Sequence, residues 1–380
     1  MGRVNLFSTR AIYPVTKGDQ TIIAQRLRVL SRDYALRVFL IGNHNTREQT
    51  ELARAAGLDV EFVCVPTSRM LIFWRIFSKS LLGLLPLQVA IFSSRKLQKV
   101  VKSLPTNEIS IVYTIRAATE FFRPNRNTII EAIDSMEVNM DQLIDIESDF
   151  IKGALLRLEH FLLVRNEKRI IDRFSISTFV AQRDLKRSGN QRSVLLPNGM
   201  ESADFPVKEA RDPNSIRFVF SGNFAYAPNI DAARFLVELF RKVPEGMSLT
   251  FVGVGGDWLN AYTTDRIRYV GPVADMIKKL SEYDIYLCPV FKSSGIQNKV
   301  LEGSAAGLPV FMSKRVARAF NVPTEYGVGI DEDFNSWFTL IAEIQADTKI
   351  ALRSGSLLQN FLKDNYSWEN IKNLLDASYK

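Results

Sequence analysis

One segment constrains the fold more than any other part of the chain: residues 283–311, which read YDIYLCPVFKSSGIQNKVLEGSAAGLPVF. It begins with an apolar run at 285–290 that has the length and β-branched content of a buried strand. After a short loop, the pattern predicts a helix from Ile296 to about Ala306, which Gly307 ends. A second buried strand at 308–311 follows. The segment therefore predicts a strand–loop–helix–strand unit of a parallel α/β sheet.

The start of this predicted helix is suited to an anion. Ser293, Ser294 and Gly295 are small, so backbone N–H groups in the loop can reach a ligand. A helix N-terminus has unpaired N–H donors, and the cation Lys299 opposes the helix dipole there, which favours a bound phosphate. Glu302, three residues later, can accept hydrogen bonds from ribose hydroxyls. The alternative is that Lys299 and Glu302 form an ordinary ion pair on the helix surface.

The segment GIQNKVLEGSAAGLPV resembles the donor-nucleotide motif of family 4-like glycosyltransferases with the GT-B fold. The resemblance implies that Glu302 holds the ribose of a nucleotide sugar and that Lys299 stabilises its diphosphate. Family 4 usually has another Glu eight positions earlier, where this chain has Ser294. A subgroup of bacterial polysaccharide glycosyltransferases carries GIQNKVLE-type sequences without that Glu, and this chain resembles it. The donor residues implied in this segment are Ser294, Gly295, Ile296, Gln297, Asn298, Lys299 and Glu302.

Two further loops belong to the expected donor site. Gly222 permits close approach of the backbone to a ligand, and Asn223 can donate to a phosphate oxygen. Both belong to the pattern GNxxYxPNxDA, which the resembling subgroup shares; a plain strand-to-helix turn is the alternative. In that pattern Asn229 is expected to cap the next helix. The resemblance also implies that backbone groups at Val270 and Gly271 meet the nucleobase, so uracil and guanine both stay open.

The N-terminal half offers three more candidates. Gly18 lies in a loop, residues 14–20, that resembles the loop closing over the donor diphosphate and acceptor; Asp19 can also cap the helix that follows. Asp134 ends an apolar strand and is the expected catalytic base if the reaction inverts configuration, with helix capping or acceptor positioning as alternatives. Arg116 can face an acceptor phosphate or form a salt bridge.

Length and composition limit the class of protein. A chain of 380 residues, 46% apolar and 24% charged, fits two globular domains. Cys64 and Cys288 lie in apolar runs, which predicts buried, reduced thiols. The two histidines have no ligand spacing, so we expect no metal and no cofactor besides a nucleotide-sugar co-substrate. With no secretory signal and no apolar run of spanning length, a cytoplasmic protein is expected.

The positive charge is unevenly distributed. The chain has 49 basic and 41 acidic residues, a net charge of +8. Residues 67–104, the basic-apolar segment, hold seven cations and no Asp or Glu. Trp, Phe and Leu lie among these cations, which is typical of a segment at an anionic membrane surface. The alternative is a pair of ordinary helices on a sheet with their cations in water. The segment is too apolar for a nucleic-acid interface.

Strands alternate with helices along the chain, which predicts two Rossmann-like domains with mostly parallel sheets. A turn signal at Pro197-Asn198-Gly199 and a polar stretch to about residue 215 predict the boundary between them. We therefore expect an acceptor domain over 1–200, a nucleotide-sugar domain over 201–365 and a C-terminal helix, 366–380, that crosses back to the first domain. The resemblance implies the GT-B fold, in which the two domains face each other across a cleft.

These features predict a glycosyltransferase that moves a sugar from a UDP- or GDP-linked donor to a lipid-linked saccharide in polysaccharide or cell-surface glycan synthesis. The resemblance implies a hexosyltransferase that retains configuration. The basic-apolar segment predicts that the cytoplasmic protein lies peripherally on the inner face of the cell membrane. Three alternatives stay open: a nucleotide-sugar epimerase of the same fold, a non-catalytic scaffold, and a membrane-surface binding module. The Ser294 departure permits the scaffold.

Overall fold

The chain folds into two α/β units. The computed structural model describes residues 2–15, 18–81, 85–120, 127–133, 135–137, 140, 144, 149–180, 182–200, 207, 212, 215–292, 296–368 and 372–373. The N-terminal unit comprises Met1–Leu196 with Lys372–Lys380, and the C-terminal unit comprises Pro197–Ile371. Each unit has its own sheet and its own apolar core, so each is described by itself.

The N-terminal unit contains a seven-stranded parallel sheet. Its strands are β1 (Gly2–Ser8), β2 (Tyr34–Ile41), β3 (Val60–Val65), β4 (Ile109–Tyr113), β5 (Thr128–Ile133), β6 (Ile176–Phe179) and β7 (Ser193–Leu195). They lie in the order β3-β2-β1-β4-β5-β6-β7.

Helices connect these parallel strands. They are α1 (Gly18–Leu30), α2 (Thr46–Ala55), α3 (Ile72–Arg75), α4 (Leu87–Ala90), α5 (Arg95–Ser103), α6 (Phe150–Ile171) and α7 (Gln182–Ser188). Single turns of 3-10 helix lie at Arg69–Leu71 and Ile115–Glu120, and a π-helical turn lies at Ile76–Leu81. The basic-apolar segment therefore forms several short helices rather than the two ordinary helices of the alternative reading.

The C-terminal unit contains a six-stranded parallel sheet. Its strands are β8 (Ile216–Asn223), β9 (Met247–Val254), β10 (Ile267–Val270), β11 (Ile285–Cys288), β12 (Val310–Ser313) and β13 (Gly329–Ile330), in the order β10-β9-β8-β11-β12-β13. The helices are α8 (Ala227–Phe240), α9 (Met276–Leu280), α10 (Asn298–Ala305), α11 (Lys314–Ala319), α12 (Phe334–Ala346) and α13 (Thr348–Tyr366).

Both sheets reverse their strand order at one point, between β1 and β4 in the first and between β8 and β11 in the second. Connections on either side of such a point leave in opposite directions, so a crevice opens beyond the carboxyl ends of the two strands. The predicted Rossmann-like character of both halves is confirmed. The two-residue strand β13 was not predicted, because a pair of residues carries no periodic signal.

The core of the C-terminal unit is rich in aromatic side chains that lie beneath the carboxyl ends of the strands. Phe224 packs edge-to-face on Phe251 at 5.7 Å, and the hydroxyl of Tyr286 hydrogen-bonds to the backbone N–H of Ser221 at 3.1 Å. Cys288 is buried, which raises the pKa of its thiol to about 11. Cys64 is only half-buried, contrary to expectation. This core fixes the tip of β8, where the candidate site begins.

Candidate active site

The predicted donor residues lie on three elements at one edge of the C-terminal sheet. Gly222 and Asn223 end β8, Val270 ends β10, and Lys299 lies in α10, which follows β11. Because β8 and β11 are hydrogen-bonded neighbours at the point where strand order reverses, the tip of β8 and the start of α10 belong to the same crevice. Val270 is two strands away from β8, and Gly271 follows it.

Helix α10 begins at Asn298, two residues later than predicted. Gln297 is the N-cap and has an extended backbone, φ −96° and ψ 105°, with no side-chain cap hydrogen bond. Ile296 is half-buried and packs against the core, which holds the entering chain out of the helix. The spacing predicted Lys299 in the first or second turn, and it lies in the first, as the second helical residue. Ser294 and Gly295 lie outside the described residues.

The Lys299 ammonium reaches back to the tip of β8. The side chain is buried, with 9% of its surface exposed. Its Nζ donates a hydrogen bond to Oδ1 of Asn229 and lies 4.6 Å from the centre of the Phe220 ring. A Cβ added to Gly222 would stand 3.0 Å from this Nζ. A buried cation therefore lies directly over a glycine at the carboxyl end of the central strand.

Lys299 and Glu302 do not form the surface ion pair that was the alternative reading. Lys299 is buried, and no carboxylate among the described residues lies within ion-pair distance of its Nζ. Burial lowers the pKa of Lys299, and the nearby Cys288 and Glu302 raise it by less. The partners of this cation are a neutral amide and an aromatic face. An anion brought to it would relieve the cost of burying the charge.

Asn229 has a different role from the predicted helix cap, which was wrong. Helix α8 begins at Ala227 with Pro228 in its first turn, and Tyr226 is the N-cap. Proline favours the first turn of a helix, so Asn229 lies inside the helix rather than before it. Its Nδ2 donates to the carbonyl oxygen of Asn223 at 2.9 Å. Asn229 thus connects the loop after β8 to Lys299. In the sequence, only the shared GNxxYxPNxDA pattern pointed to a role for Asn229 in this site.

The loop after β8 is organised by backbone contacts. Oδ1 of Asn223 accepts from the backbone N–H of Ala225 at 2.9 Å, so this side chain shapes its own turn and keeps its NH2 group for another acceptor. A Cβ on Gly253, at the end of β9, would lie 2.0 Å from the carbonyl oxygen of Gly222. Gly253 therefore belongs here for close packing of two strand ends, which sequence reasoning missed.

Glu302 is half-buried on the same helix as Lys299. Burial raises the pKa of its carboxyl, and the charge of Lys299 lowers it by less. Among the residues that the structure describes, none donates a hydrogen bond to this carboxylate. A partly desolvated acceptor with no protein donor is suited to a ligand that brings hydroxyl groups.

The structure shows fewer chemical features at the remaining donor candidates. Oδ1 of Asn298 accepts a hydrogen bond from Nδ2 of Asn198, so this oxygen is bonded within the protein. Gln297 is half-buried at the cap position. Gly271 has open space where a Cβ would stand, so its backbone is accessible.

In the N-terminal unit, Gly18 is the first residue of α1, so Asp19 lies inside the helix and not at its cap. Arg116 follows β4, and its Nε donates to Oε1 of Gln88 at 2.7 Å. Asp134 lies outside the described residues, although β5 ends at Ile133, immediately before it. The predicted roles of Gly18, Arg116 and Asp134 stay predictions.

Two strained residues mark the carboxyl ends of the neighbouring strands β4 and β5. Thr114 has φ 63° and Ile133 has φ 64°, in the left-handed region that β-branched residues avoid. Backbone strain of this kind persists where the surrounding structure imposes it and clusters at functional sites. Thr114 comes two residues before Arg116, and Ile133 comes immediately before Asp134; no sequence signal pointed to this strain.

Two buried carboxylates on α6 hold the loops at this end of the sheet. Glu159 accepts from the backbone N–H groups of Leu87 and Gln88, so it caps α4 and fixes the partner of Arg116. Glu167 accepts from Ser135 Oγ and from the N–H groups of Met136 and Glu137. Burial raises the pKa of both carboxyls. Sequence reasoning missed them, since glutamates in a long helix usually face water.

Residues 215–344 match the family model described as glycosyl transferases group 1, a range that contains β8 and α10. Solved structures match the chain over its whole length. HepE from Anabaena in complex with UDP is 14% identical with a TM-score of 0.69, covering 100% of this chain and 99% of that one. Sucrose-phosphate synthase from Thermosynechococcus elongatus is 15% identical with a TM-score of 0.68, covering 100% and 98%. TarM of S. aureus is 10% identical with a TM-score of 0.71, covering 100% and 99%.

The chain has the GT-B fold. No curated protein sequence matches it. The GT-B fold accounts for two parallel sheets of Rossmann type in one chain, with the strand-order reversal that each of them contains. Among the described residues, no group of three or more His, Cys, Asp or Glu side chains is placed to hold a metal ion. Nor does any described helix have the length and apolar character needed to span a bilayer.

Proposed function

We propose that this GT-B protein is a glycosyltransferase of the family 4-like subgroup that takes a sugar from a nucleotide-diphosphate sugar. One observation carries the proposal: the buried ammonium of Lys299 lies over Gly222 at the strand-order reversal, and Glu302 lies one turn further along the same helix. A cation over a bare backbone suits a diphosphate, and a carboxylate without a protein donor suits a ribose. The match to the glycosyl transferase group 1 model supports the same reading.

The chemistry this site can supply is stabilisation of the leaving group. When the bond between the sugar C1 and the β-phosphate oxygen breaks, negative charge builds on the diphosphate. Lys299, the NH2 group of Asn223 and backbone N–H groups at the start of α10 would donate hydrogen bonds to that charge. Their geometry is held by Asn229, so little reorganisation accompanies the reaction.

Stereochemistry and metal use are parts of the proposal. We propose retention of configuration, by the family 4 resemblance, with no protein base in the transfer. Were the enzyme to invert, Asp134 would be the base that removes the acceptor proton. We propose that no metal and no cofactor takes part and that Lys299 serves as the cation opposite the diphosphate. Uridine and guanosine diphosphates are both compatible donors; UDP is the first to test, since the HepE and TarM structures contain it.

The proposed acceptor is a lipid-linked saccharide in polysaccharide or cell-surface glycan synthesis, with Arg116 toward its phosphate. The enzyme would act in the cytoplasm, bound peripherally to the inner face of the membrane. Exposed apolar side chains in the basic-apolar segment support this: Met70 is 89% exposed, Phe73 70% and Trp74 61%. Exposed aromatic residues beside cations favour an anionic interface. Phe73→Ser/Trp74→Ser should abolish sedimentation with anionic vesicles and leave the thermal midpoint unchanged.

A thermal-shift panel tests the donor site. We expect at least one of UDP, GDP, ADP and dTDP to raise the thermal midpoint of the native protein, since a ligand that binds only the folded state stabilises it. Glu302→Gln should reduce the affinity for the free nucleoside and for its diphosphate by the same factor, about tenfold to a hundredfold, because both contain the ribose and a charge-assisted hydrogen bond contributes about 1.5–3 kcal/mol.

The control is Glu343→Gln, an exposed carboxylate on α12 of the same unit. It should leave every midpoint unchanged. Absence of stabilisation by all four diphosphates would overturn the donor site, and with it the transferase. Conversion of the donor sugar in the absence of any acceptor would instead identify an epimerase.

A further inference from the structure

The N-terminal unit contains a cavity that the donor site does not use. Its volume is about 740 Å³, and it lies beyond the carboxyl ends of β2 and β3, where Asn43, Thr67 and Ser68 line it. Loops at the carboxyl ends of parallel strands are where open α/β sheets bind ligands. The rest of the lining comes from the basic-apolar segment, so the cavity opens on the face that carries the exposed aromatic residues.

The lining is cationic. Arg75, Lys79, Arg95 and Lys96 all line the cavity. The segment 67–104 contains no Asp or Glu, and within the described part of the chain no carboxylate pairs with Arg75, Arg95 or Lys96. Arg75 donates only to the carbonyl oxygen of Ile91, at 3.0 Å. Such a group of cations around one cavity favours a multiply charged anion.

The hydroxyl groups of Ser93 and Ser94 also line the cavity. Lys79 donates to the hydroxyl of Ser93, which fixes one wall of the cavity. Ser94 caps α5, accepting from the N–H of Leu97 at 3.1 Å, so the positive end of that helix lies at the same wall. Hydroxyl, amide and guanidinium donors together match the several acceptor oxygens of a phosphate monoester or diphosphate.

The outer edge of the cavity is apolar. Leu71 both lines the cavity and is 50% exposed, and Phe73 and Trp74 are exposed in the helix that follows it. Trp74 packs edge-to-face on Phe73 at 6.1 Å and on Phe77 at 6.3 Å, which forms a continuous aromatic surface. A soluble phosphate would make no contact with this aromatic surface, whereas a lipid would pack its chain against the surface and place its headgroup among the cations.

We propose that this cavity binds the phosphate or diphosphate headgroup of a membrane lipid other than the acceptor and so holds the N-terminal unit at the membrane surface. The binding itself does not rest on the proposed transfer to a lipid-linked saccharide. The headgroup charge is met by Arg75, Lys79, Arg95 and Lys96, and the lipid chain stays with the aromatic surface of the segment.

The test uses two charge-matched double variants of the full chain. Arg95→Gln/Lys96→Gln removes two exposed cations from the cavity, whereas Lys99→Gln/Lys102→Gln removes two exposed cations of the same helix that do not line it. Binding is measured by sedimentation with phosphatidylcholine vesicles that contain phosphatidic acid or phosphatidylserine, adjusted to equal surface potential. Phosphatidic acid presents a phosphate monoester, whereas phosphatidylserine is anionic but presents only a phosphodiester.

We expect the native protein to prefer phosphatidic acid by about tenfold, the worth of one additional charge-assisted hydrogen-bonded contact. The Lys99→Gln/Lys102→Gln control should bind both vesicles more weakly and keep that ratio. In Arg95→Gln/Lys96→Gln the ratio should fall to about one. Equal ratios in both variants, or no preference in the native protein, would mean that the cations act only through the overall surface charge, and would overturn the proposal.

Inorganic diphosphate in solution separates a lipid headgroup from a soluble ligand. Titrated calorimetrically, it should bind at least about tenfold more weakly than phosphatidic acid in a vesicle, because the aromatic surface adds apolar burial. Equal affinities would mean a soluble phosphate ligand and would overturn the lipid assignment. UDP-dependent stabilisation should be unchanged in both double variants, so failure of this proposal and failure of the donor site are distinguishable.

Discussion

Lys299→Met separates a functional cation from a structural one, because the structure predicts opposite consequences for the free and bound protein. In the free protein the ammonium gives up water for one amide oxygen and one aromatic face. The hydrogen bond contributes about 1.5–3 kcal/mol and the cation–π contact about 1–2 kcal/mol. Desolvation of a buried ion costs several kcal/mol. These contributions nearly cancel, so the free energy of unfolding should change by no more than about 1 kcal/mol.

The bound protein should respond strongly. A unit charge about 4 Å from Nζ, at an effective dielectric constant of about 20, interacts by about 4 kcal/mol. Roughly half of this is expected to offset desolvation of the phosphate, which leaves about 2 kcal/mol, or about a thirtyfold loss of affinity. Uridine has no phosphate and should lose less than about twofold by the same argument. The ratio between the two ligands is therefore the signature.

Calorimetric titration with UDP and uridine, with urea unfolding of the free protein, measures both quantities. Lys314→Met is the matched control: Lys314 is also a cation in the first turn of a helix, but it is exposed and paired with Asp331. It should change neither affinity. The reasoning fails if Lys299→Met weakens uridine as much as UDP. It also fails if the free variant loses more than about 3 kcal/mol of stability, the range of a broken buried interaction.

Three further predictions concern pH and packing. Burial lowers the pKa of Lys299 in the free protein. As the pH rises through that pKa, the affinity for UDP should fall and binding should take up a proton, while the free protein should gain stability because the unfolded chain holds the proton more tightly. Calorimetry in two buffers measures the proton uptake, and a pH-independent affinity would contradict the prediction. Glu167→Ala removes the acceptor of three hydrogen bonds and should cost about 2–4 kcal/mol in urea unfolding, against at most about 0.5 kcal/mol for exposed Glu238→Ala. Gly253→Ala cannot fit beside the Gly222 carbonyl and should weaken UDP binding and lower the thermal midpoint; unchanged values of both would refute the packing argument.

The strand–loop–helix–strand unit at residues 283–311 could be predicted because it depends on residues close together in the chain. Gly307 and the apolar runs on either side of it specify one strand–helix–strand unit, and the position of Lys299 near the helix start follows from spacing alone. The same holds for the parallel sheets, since alternating strand and helix periods leave few other solutions. The start of α10 was misplaced by two residues because the packing of Ile296 on the core, a tertiary contact, decides it.

The hydrogen-bond partners of side chains on elements far apart in the chain could not be predicted from the sequence. Spacing placed Lys299 and Glu302 on one face and so allowed an ion pair, yet the ammonium turns to Asn229, 70 residues earlier in the chain. Strand order decides this, since β8 and β11 become neighbours only in the folded sheet. Glu159 and Glu167 were unreadable for the same reason: their donors lie on loops that only the fold brings to α6.

The sequence by itself determined the elements, the two-sheet architecture and the presence of a helix after β11 with Lys299 near its start, because these depend on residues close together in the chain. The tertiary structure decided which cation faces which strand tip and which carboxylates are buried. It also decided that the basic-apolar segment encloses a cavity beside β2 and β3. Burial and long-range pairing set the free energy of each charge, and neither is a property of a local stretch of sequence.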